Sequence, residues 1–259
     1  MNWFEALILG LIQGLTEFLP VSSSGHLEIA KSLFGVDPES SFYFTVAVHG
    51  ATVLSTLVVF RKEITDLLKG VFKFKMNEET SYILKIIVSM IPVGLAGVFL
   101  KDPVERMFSG DIVFVGLMLL ITALLLAFAH FIKKRERTIT YLDALIIGIA
   151  QAVAVIPGIS RSGATISTGL MIGNRKDEIA KFSFLMVLIP VIGANLLEIL
   201  GGETGGTTTG AGMILIGSLA AFISGYLACR WMIAIVKRSR LIWFSIYCAT
   251  VGLLSVLLG

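Results

Sequence analysis

The chain has 259 residues, of which 56% are hydrophobic and only 15% charged, and its mean hydropathy is +0.89. An ordinary soluble domain is about 25% charged, so this composition excludes a soluble enzyme, a disordered chain and a nucleic-acid module. The length allows about six to eight crossing or part-crossing helices of a membrane protein.

A first apolar stretch, 3–19, stops at Pro20 and the polar run Ser22, Ser23, Ser24. No basic residue precedes it, so no cleaved signal peptide is expected. A short second piece follows over 24–35. Three segments long enough to cross then occupy roughly 42–60, 82–100 and 112–132. The stretch 141–156 stops at Pro157-Gly158 and the run Ser160, Arg161, Ser162, and a short piece over 162–173 follows it. Three more spans lie at 179–200, 211–229 and 241–258. A helix broken at membrane depth must be shielded by protein or line a wet cavity, so both broken stretches read as re-entrant hairpins. Pro92 and Pro190 are expected to kink the second and fourth spans, and 201–212 reads as an exposed linker. Cys229 and Cys248 sit in apolar stretches as small hydrophobes, with no disulfide framework.

The net charge of +3 says less than where the charges lie. Arg61, Lys62, Lys69, Lys73 and Lys75 follow the first span, and Lys133, Lys134, Arg135 and Arg137 the third. Arg175 and Lys176 precede the fourth, and Arg230, Lys237, Arg238 and Arg240 lie between the fifth and sixth. The alternate connections hold only Lys31, then Lys101 and Arg106, then none. The bias of Lys and Arg toward the cytoplasm makes the first set cytoplasmic; six spans then close the count with both termini outside.

The two broken hairpins match each other. Ala6–Gln13 sits over Ala144–Gln151 at an offset of 138, and the same offset puts Val21-Ser22-Ser23-Ser24-Gly25 over Ile159-Ser160-Arg161-Ser162-Gly163. Three spans follow each copy, so the copies run in opposite directions. The reading is one all-α integral membrane domain over 1–259, six transmembrane helices plus two re-entrant hairpins, with inverted repeats at about 1–135 and 139–259. Such repeats with broken helices meet at a central site, their helix starts aimed at an anion.

The polar residues gather at those breaks. Gln13 and Glu17 are four apart and share a helix face. An ionisable group inside a membrane helix is a functional candidate, the alternative for Glu17 being a carboxylate that snorkels to the interface. In Ser22-Ser23-Ser24-Gly25-His26, one serine serves as an N-cap, and the remaining hydroxyls and N–H groups can cradle an anion. His26 follows Ser23 by three residues and suits a proton carrier. Arg161 needs an anionic partner, either phosphate oxygens or Glu17, and Ser160 or Ser162 opens the helix that carries Gly163 and Thr165. His49 could line the site but suits a structural bond equally, and Glu198 reads as an interfacial snorkeller. The guest that fits one acid, one Arg, one His and several hydroxyls in lipid is a phosphate or diphosphate head group with a lipid tail.

Gln13-Gly14-Leu15-Thr16-Glu17-Phe18-Leu19-Pro20-Val21-Ser22-Ser23-Ser24-Gly25-His26 and Pro157-Gly158-Ile159-Ser160-Arg161-Ser162-Gly163-Ala164-Thr165 closely resemble the two signatures of the undecaprenyl-diphosphate phosphatase family, the bacitracin-resistance phosphatases. The resemblance covers the whole chain. Where the family pairs two glutamates, the first is Gln13 here, a position at which the family admits either residue. The resemblance implies hydrolysis of undecaprenyl diphosphate to the monophosphate and inorganic phosphate, recycling the carrier for cell-wall synthesis and giving bacitracin resistance. It implies dependence on Mg²⁺ or Ca²⁺, a multi-pass protein of the bacterial plasma membrane, and a site open to its outer face. Expected roles follow: Glu17 binds the cation, Ser23 attacks phosphorus or orients the water that does, His26 moves the proton, and Arg161 clamps the diphosphate. Gln13, Ser22, Ser24, Gly25, Ser160, Ser162, Gly163 and Thr165 line the substrate. The partners are the polyprenyl diphosphate and membrane lipid, with no nucleic acid and a homodimer left open. The rival reading is a transporter or flippase of an anionic polyprenyl lipid.

Overall fold

A computed structural model describes residues 1–36, 41–100, 103–104, 107, 111–132, 136–200, 210–237 and 240–259. Lys101, Arg106, Lys133, Lys134, Arg135, Arg238, most of the expected linker and the side chain of Glu198 lie outside the described residues. Among those described there are eleven helices, and the only β pairing is an isolated bridge between Arg137 and Asn174.

The first break is built as the sequence suggests. Helix α1 (Trp3–Phe18) ends before Pro20, and α2 (Ser23–Phe34) starts under the N-cap Ser22. Then come α3 (Phe42–Val59), α4 (Arg61–Val71), α5 (Glu78–Phe99) and α6 (Ile112–Phe131). The second break separates α7 (Tyr141–Val153) from α8 (Arg161–Met171), which starts under the N-cap Ser160. Helices α9 (Lys176–Leu200), α10 (Ala211–Lys237) and α11 (Ile242–Leu258) complete the chain.

Helices α3, α5, α6 and α10 are each long and apolar enough to cross a membrane. Helix α11 is apolar but has 17 residues, and α9 carries Pro190 inside its 25. The spanning helices turn large apolar side chains outward. Val98, Leu124, Ile223, Leu227 and Trp243 are all more than half exposed, a cover that suits lipid and not water. The chain is a multi-pass membrane protein.

One addition and one correction follow. The basic stretch after the first span forms the amphipathic helix α4, with Glu63 in its first turn and Lys69 in its last, as the helix dipole favours. The fifth span does not end at 229: α10 runs on to Lys237 with Arg230 inside it, because no glycine or proline interrupts 226–237.

Glycines set the closest helix contacts. A Cβ on Gly10 would strike the backbone of Gly217, packing α1 on α10, and one on Gly148 would strike the backbone of Ser89, packing α7 on α5. Small residues at such crossings let backbones approach without a hydrophobic drive between helices. Gly116 of α6 likewise faces the Gly252 carbonyl of α11, 2.8 Å from a hypothetical Cβ.

The second hairpin is tied down near its start. Arg137 donates to Asp143 at 2.6 Å and to the Ile172 carbonyl at 3.0 Å, and Asn174 donates to Asp143 at 3.1 Å. Thr140 and Asp143 close a reciprocal capping box at the start of α7. Arg137 is therefore a structural fastener.

Candidate active site

Glu17 is the centre of the site. It stands in the last turn of α1, its side chain 11% exposed. Because α1 stops here and α2 doubles back, the start of α2 lies beside it: the Ser23 hydroxyl donates to Oε2 at 2.7 Å. Gln13, one turn earlier on α1, donates from Nε2 to the same oxygen at 2.9 Å. From the second break, Arg161 donates from Nη2 to Oε1 at 2.6 Å. Two hairpins 138 positions apart in sequence thus close on one carboxylate. Gln13 is fully buried, and its Oε1 has no hydrogen-bond partner.

The remaining predicted residues divide by role. Ser22 caps α2, its Oγ accepting from the Gly25 N–H at 3.3 Å, and Ser160 caps α8, its Oγ accepting from the Gly163 N–H at 3.0 Å. Each cap serine lies beside the hydroxyl two residues on, Ser22 with Ser24 at 3.4 Å and Ser160 with Ser162 at 3.3 Å. Ser162 donates to the Leu19 carbonyl at 3.1 Å, locking the second break onto the first. Gly25 and Gly163 are tightly packed: a Cβ on Gly25 would sit 3.2 Å from Gly158 Cα and one on Gly163 3.0 Å from Ser160 Cβ. Gly158 itself holds a φ of 93°, open to glycine at little cost. Thr165 lines the cleft with Glu17 and Arg161, its hydroxyl donating to the Arg161 carbonyl at 2.8 Å and meeting Ser183 at 2.6 Å.

His26 is placed differently from its expected contact with Ser23. Its Nδ1 meets the Ser22 carbonyl at 2.9 Å and its Nε2 meets the Tyr247 hydroxyl at 2.9 Å. The histidine that faces Glu17 is His49, with Nε2 4.0 Å from Oε2. Its Nδ1 meets the Thr45 carbonyl at 2.9 Å. Since a carbonyl only accepts, Nδ1 carries the hydrogen in both rings.

Several residues of this site escaped the sequence reading. Thr52 and Thr56 line the cleft beside Glu17 and Arg161. With Thr45 and His49 they repeat at 45, 49, 52 and 56, a polar stripe on one face of an otherwise apolar helix; that spacing was the available signal. Lys31, counted only as a connecting charge, is buried and donates to Thr45 at 2.8 Å. Tyr247 gave no signal, because nothing in its neighbourhood points across 221 residues to His26.

The model for "Bacitracin resistance protein BacA" matches residues 6–254. The chain belongs to the BacA family. A BacA-family relative named undecaprenyl-diphosphatase, from Parabacteroides distasonis, is 54% identical over 99% of this chain and 98% of its own. One of the same name from Bacteroides fragilis is 53% identical over 100% of this chain and 99% of its own. A more distant one from the archaeon Methanococcus vannielii is 39% identical over 94% and 95%.

Proposed function

We propose that this protein hydrolyses undecaprenyl diphosphate to undecaprenyl phosphate and inorganic phosphate. It is a membrane-bound hydrolase that returns the lipid carrier to cell-wall synthesis, and its family's description as a bacitracin resistance protein fits removal of the diphosphate form. The observation that carries the mechanism is the contact of Ser23 Oγ with Glu17 at 2.7 Å, under the guanidinium of Arg161. A transporter needs the cation and the helix starts but has no use for a hydroxyl held against a carboxylate, so the contact favours the enzyme.

Glu17 takes the Ser23 proton as Oγ attacks the terminal phosphorus. The bond from that phosphorus to the bridging oxygen breaks, and undecaprenyl phosphate leaves with the bridging electrons. Water then attacks the phosphoserine and frees orthophosphate. Arg161 pairs Glu17 before loading and turns its planar fork to the phosphate oxygens afterwards. Glu17 and Arg161 line one cleft together with Thr52 and Thr56, so phosphate oxygens entering it meet the guanidinium. His49, 4.0 Å from the same Glu17 oxygen that accepts from Ser23, can take the proton onward. The test is phosphate release from purified protein and undecaprenyl diphosphate, with Ser23→Ala and Glu17→Gln as controls that must lose it.

A divalent cation is part of the proposal. Glu17 supplies a carboxylate, and the unpartnered Gln13 Oε1 a second hard oxygen next to it. Among the described residues no group of three His, Cys, Asp or Glu converges. That donor set suits Mg²⁺, which binds through one or two protein oxygens together with substrate phosphates. When bound, the cation neutralises charge on the phosphate oxygens.

For topology we propose six spans, α3, α5, α6, α9, α10 and α11, with two re-entrant hairpins, α1–α2 and α7–α8, in inverted repeats. Support comes from the parallel breaks: α1 and α7 start 138 residues apart, as do α2 and α8, and each second piece opens under a cap serine. The charge bias supports cytoplasmic Lys- and Arg-rich connections with both termini outside; a plasma-membrane site open to the outer face is what the resemblance to the family implies.

A further inference from the structure

The turn that presents Ser23 is strained. Ser22 holds a φ of 70°, where a side chain is costly for any residue but glycine. Such a backbone persists only when its surroundings over-determine it. The Ser22 carbonyl is held twice by one residue, by the His26 backbone N–H at 3.1 Å and by His26 Nδ1 at 2.9 Å. His26 is held in turn by Tyr247 of α11. The two rings stack with centroids 5.5 Å apart and planes 11° off parallel, and the Tyr247 hydroxyl lies 2.9 Å from Nε2. With Nδ1–H committed to the carbonyl, Nε2 of the neutral ring accepts from the tyrosine, which selects this tautomer.

Helix α11 reaches the same turn a second time, since Cys248 Sγ meets the Pro20 carbonyl at 3.6 Å. Helix α11 is itself pinned to α6, where Ser245 donates to the Ala123 carbonyl at 2.7 Å. The final helix of the chain therefore braces the first hairpin from outside the carboxylate cluster.

We propose that Tyr247 is a positioning residue for catalysis: by orienting His26 it holds the strained Ser22 carbonyl and so aims Ser23 at Glu17. Tyr247 touches neither Glu17 nor Ser23 and acts only through His26. The inference rests on the reading of Ser23 as nucleophile.

The experiment compares purified wild type, Tyr247→Phe, His26→Ala, the double variant and Ser23→Ala in detergent. It measures kcat and KM for undecaprenyl diphosphate, the thermal midpoint, and the rate at which an organophosphorus fluoridate labels Ser23. Phenylalanine keeps the stacking and loses only the hydroxyl. Tyr247→Phe is expected to lower kcat about tenfold, the effect of one hydrogen bond felt in the transition state. KM and the thermal midpoint stay near wild type, and Ser23 labelling slows in step with kcat. The double variant is no worse than His26→Ala alone, because the tyrosine works through that ring. Wild-type kcat in Tyr247→Phe, losses that multiply in the double variant, or a lowered midpoint with unchanged Ser23 labelling would each overturn the inference. A fully active Ser23→Ala protein would instead overturn the underlying reading of Ser23, whatever Tyr247→Phe does.

Discussion

Replacing Arg161 with alanine strips Glu17 of the guanidinium bonded to it at 2.6 Å, in a pair whose side chains are 28% and 11% exposed. Breaking a buried ion pair costs about 3–5 kcal/mol, because the remaining charge is stranded. Glu17 keeps the donors Ser23 and Gln13, which places the loss near the lower end, about 3 kcal/mol. For a domain of this size that lowers the thermal midpoint by roughly 6–12 °C. Cys229 and Cys248 are both buried and free, so a thiol-reactive dye reads the unfolding directly. Adding Glu17→Gln to Arg161→Ala removes the stranded charge and should restore most of the midpoint without restoring turnover. Arg161→Lys should hold the midpoint yet lose roughly one to two decades of kcat/KM, since a point charge replaces charge-assisted bonds worth about 1.5–3 kcal/mol. The reasoning is refuted if Arg161→Ala is as stable and as active as wild type, or if the double variant melts below the single one.

Glu17→Gln alone should abolish phosphate release in a protein that still folds, with a midpoint lowered less than in Arg161→Ala because the stranded Arg161 side chain is the more exposed of the pair, and wild-type turnover in that variant would remove Glu17 from the chemistry. Gln13→Glu should stay active and raise the apparent affinity for Mg²⁺, read by titrating the metal against turnover, because a carboxylate then stands where the unpartnered amide oxygen is. Gly10→Ala and Gly148→Ala should each cost about 1–3 kcal/mol of stability by overpacking, seen as lowered midpoints, since each new Cβ meets the backbone of a facing helix. Asp143→Ala should destabilise the protein more than an exposed substitution does, because Arg137, Asn174 and the Thr140 N–H all lose their acceptor.

The helical class and the two breaks were readable in the sequence because proline, serine and glycine punctuate apolar runs at a repeated offset. Gln13, Glu17 and Arg161 stand out in the sequence by their polarity at membrane depth, whereas Ser23 is one of three adjacent serines that only the resemblance separates; in the structure the four share hydrogen bonds through one carboxylate. The partner of His26 was not readable. Three residues of helical spacing put it on the face of Ser23, but its ring swings to Tyr247, a contact set by how α11 packs and not by local spacing. His49 was underweighted because a lone histidine in an apolar span is uninformative until its stripe of threonines is noticed. The charges of 61–71 serve in the sequence as an orientation signal, and helix α4 becomes legible only when their own periodicity is followed.

The central claim is that Ser23, held against Glu17 beneath Arg161, carries the transferred phosphoryl group. A single turnover with undecaprenyl diphosphate labelled in its terminal phosphate, quenched in acid and digested, tests it by mass spectrometry of the peptide containing Ser22, Ser23 and Ser24. The account predicts phosphate on Ser23, absent from Ser22 and Ser24, and absent altogether in Glu17→Gln. Unlabelled protein at every time point, together with turnover by Ser23→Ala, would contradict it.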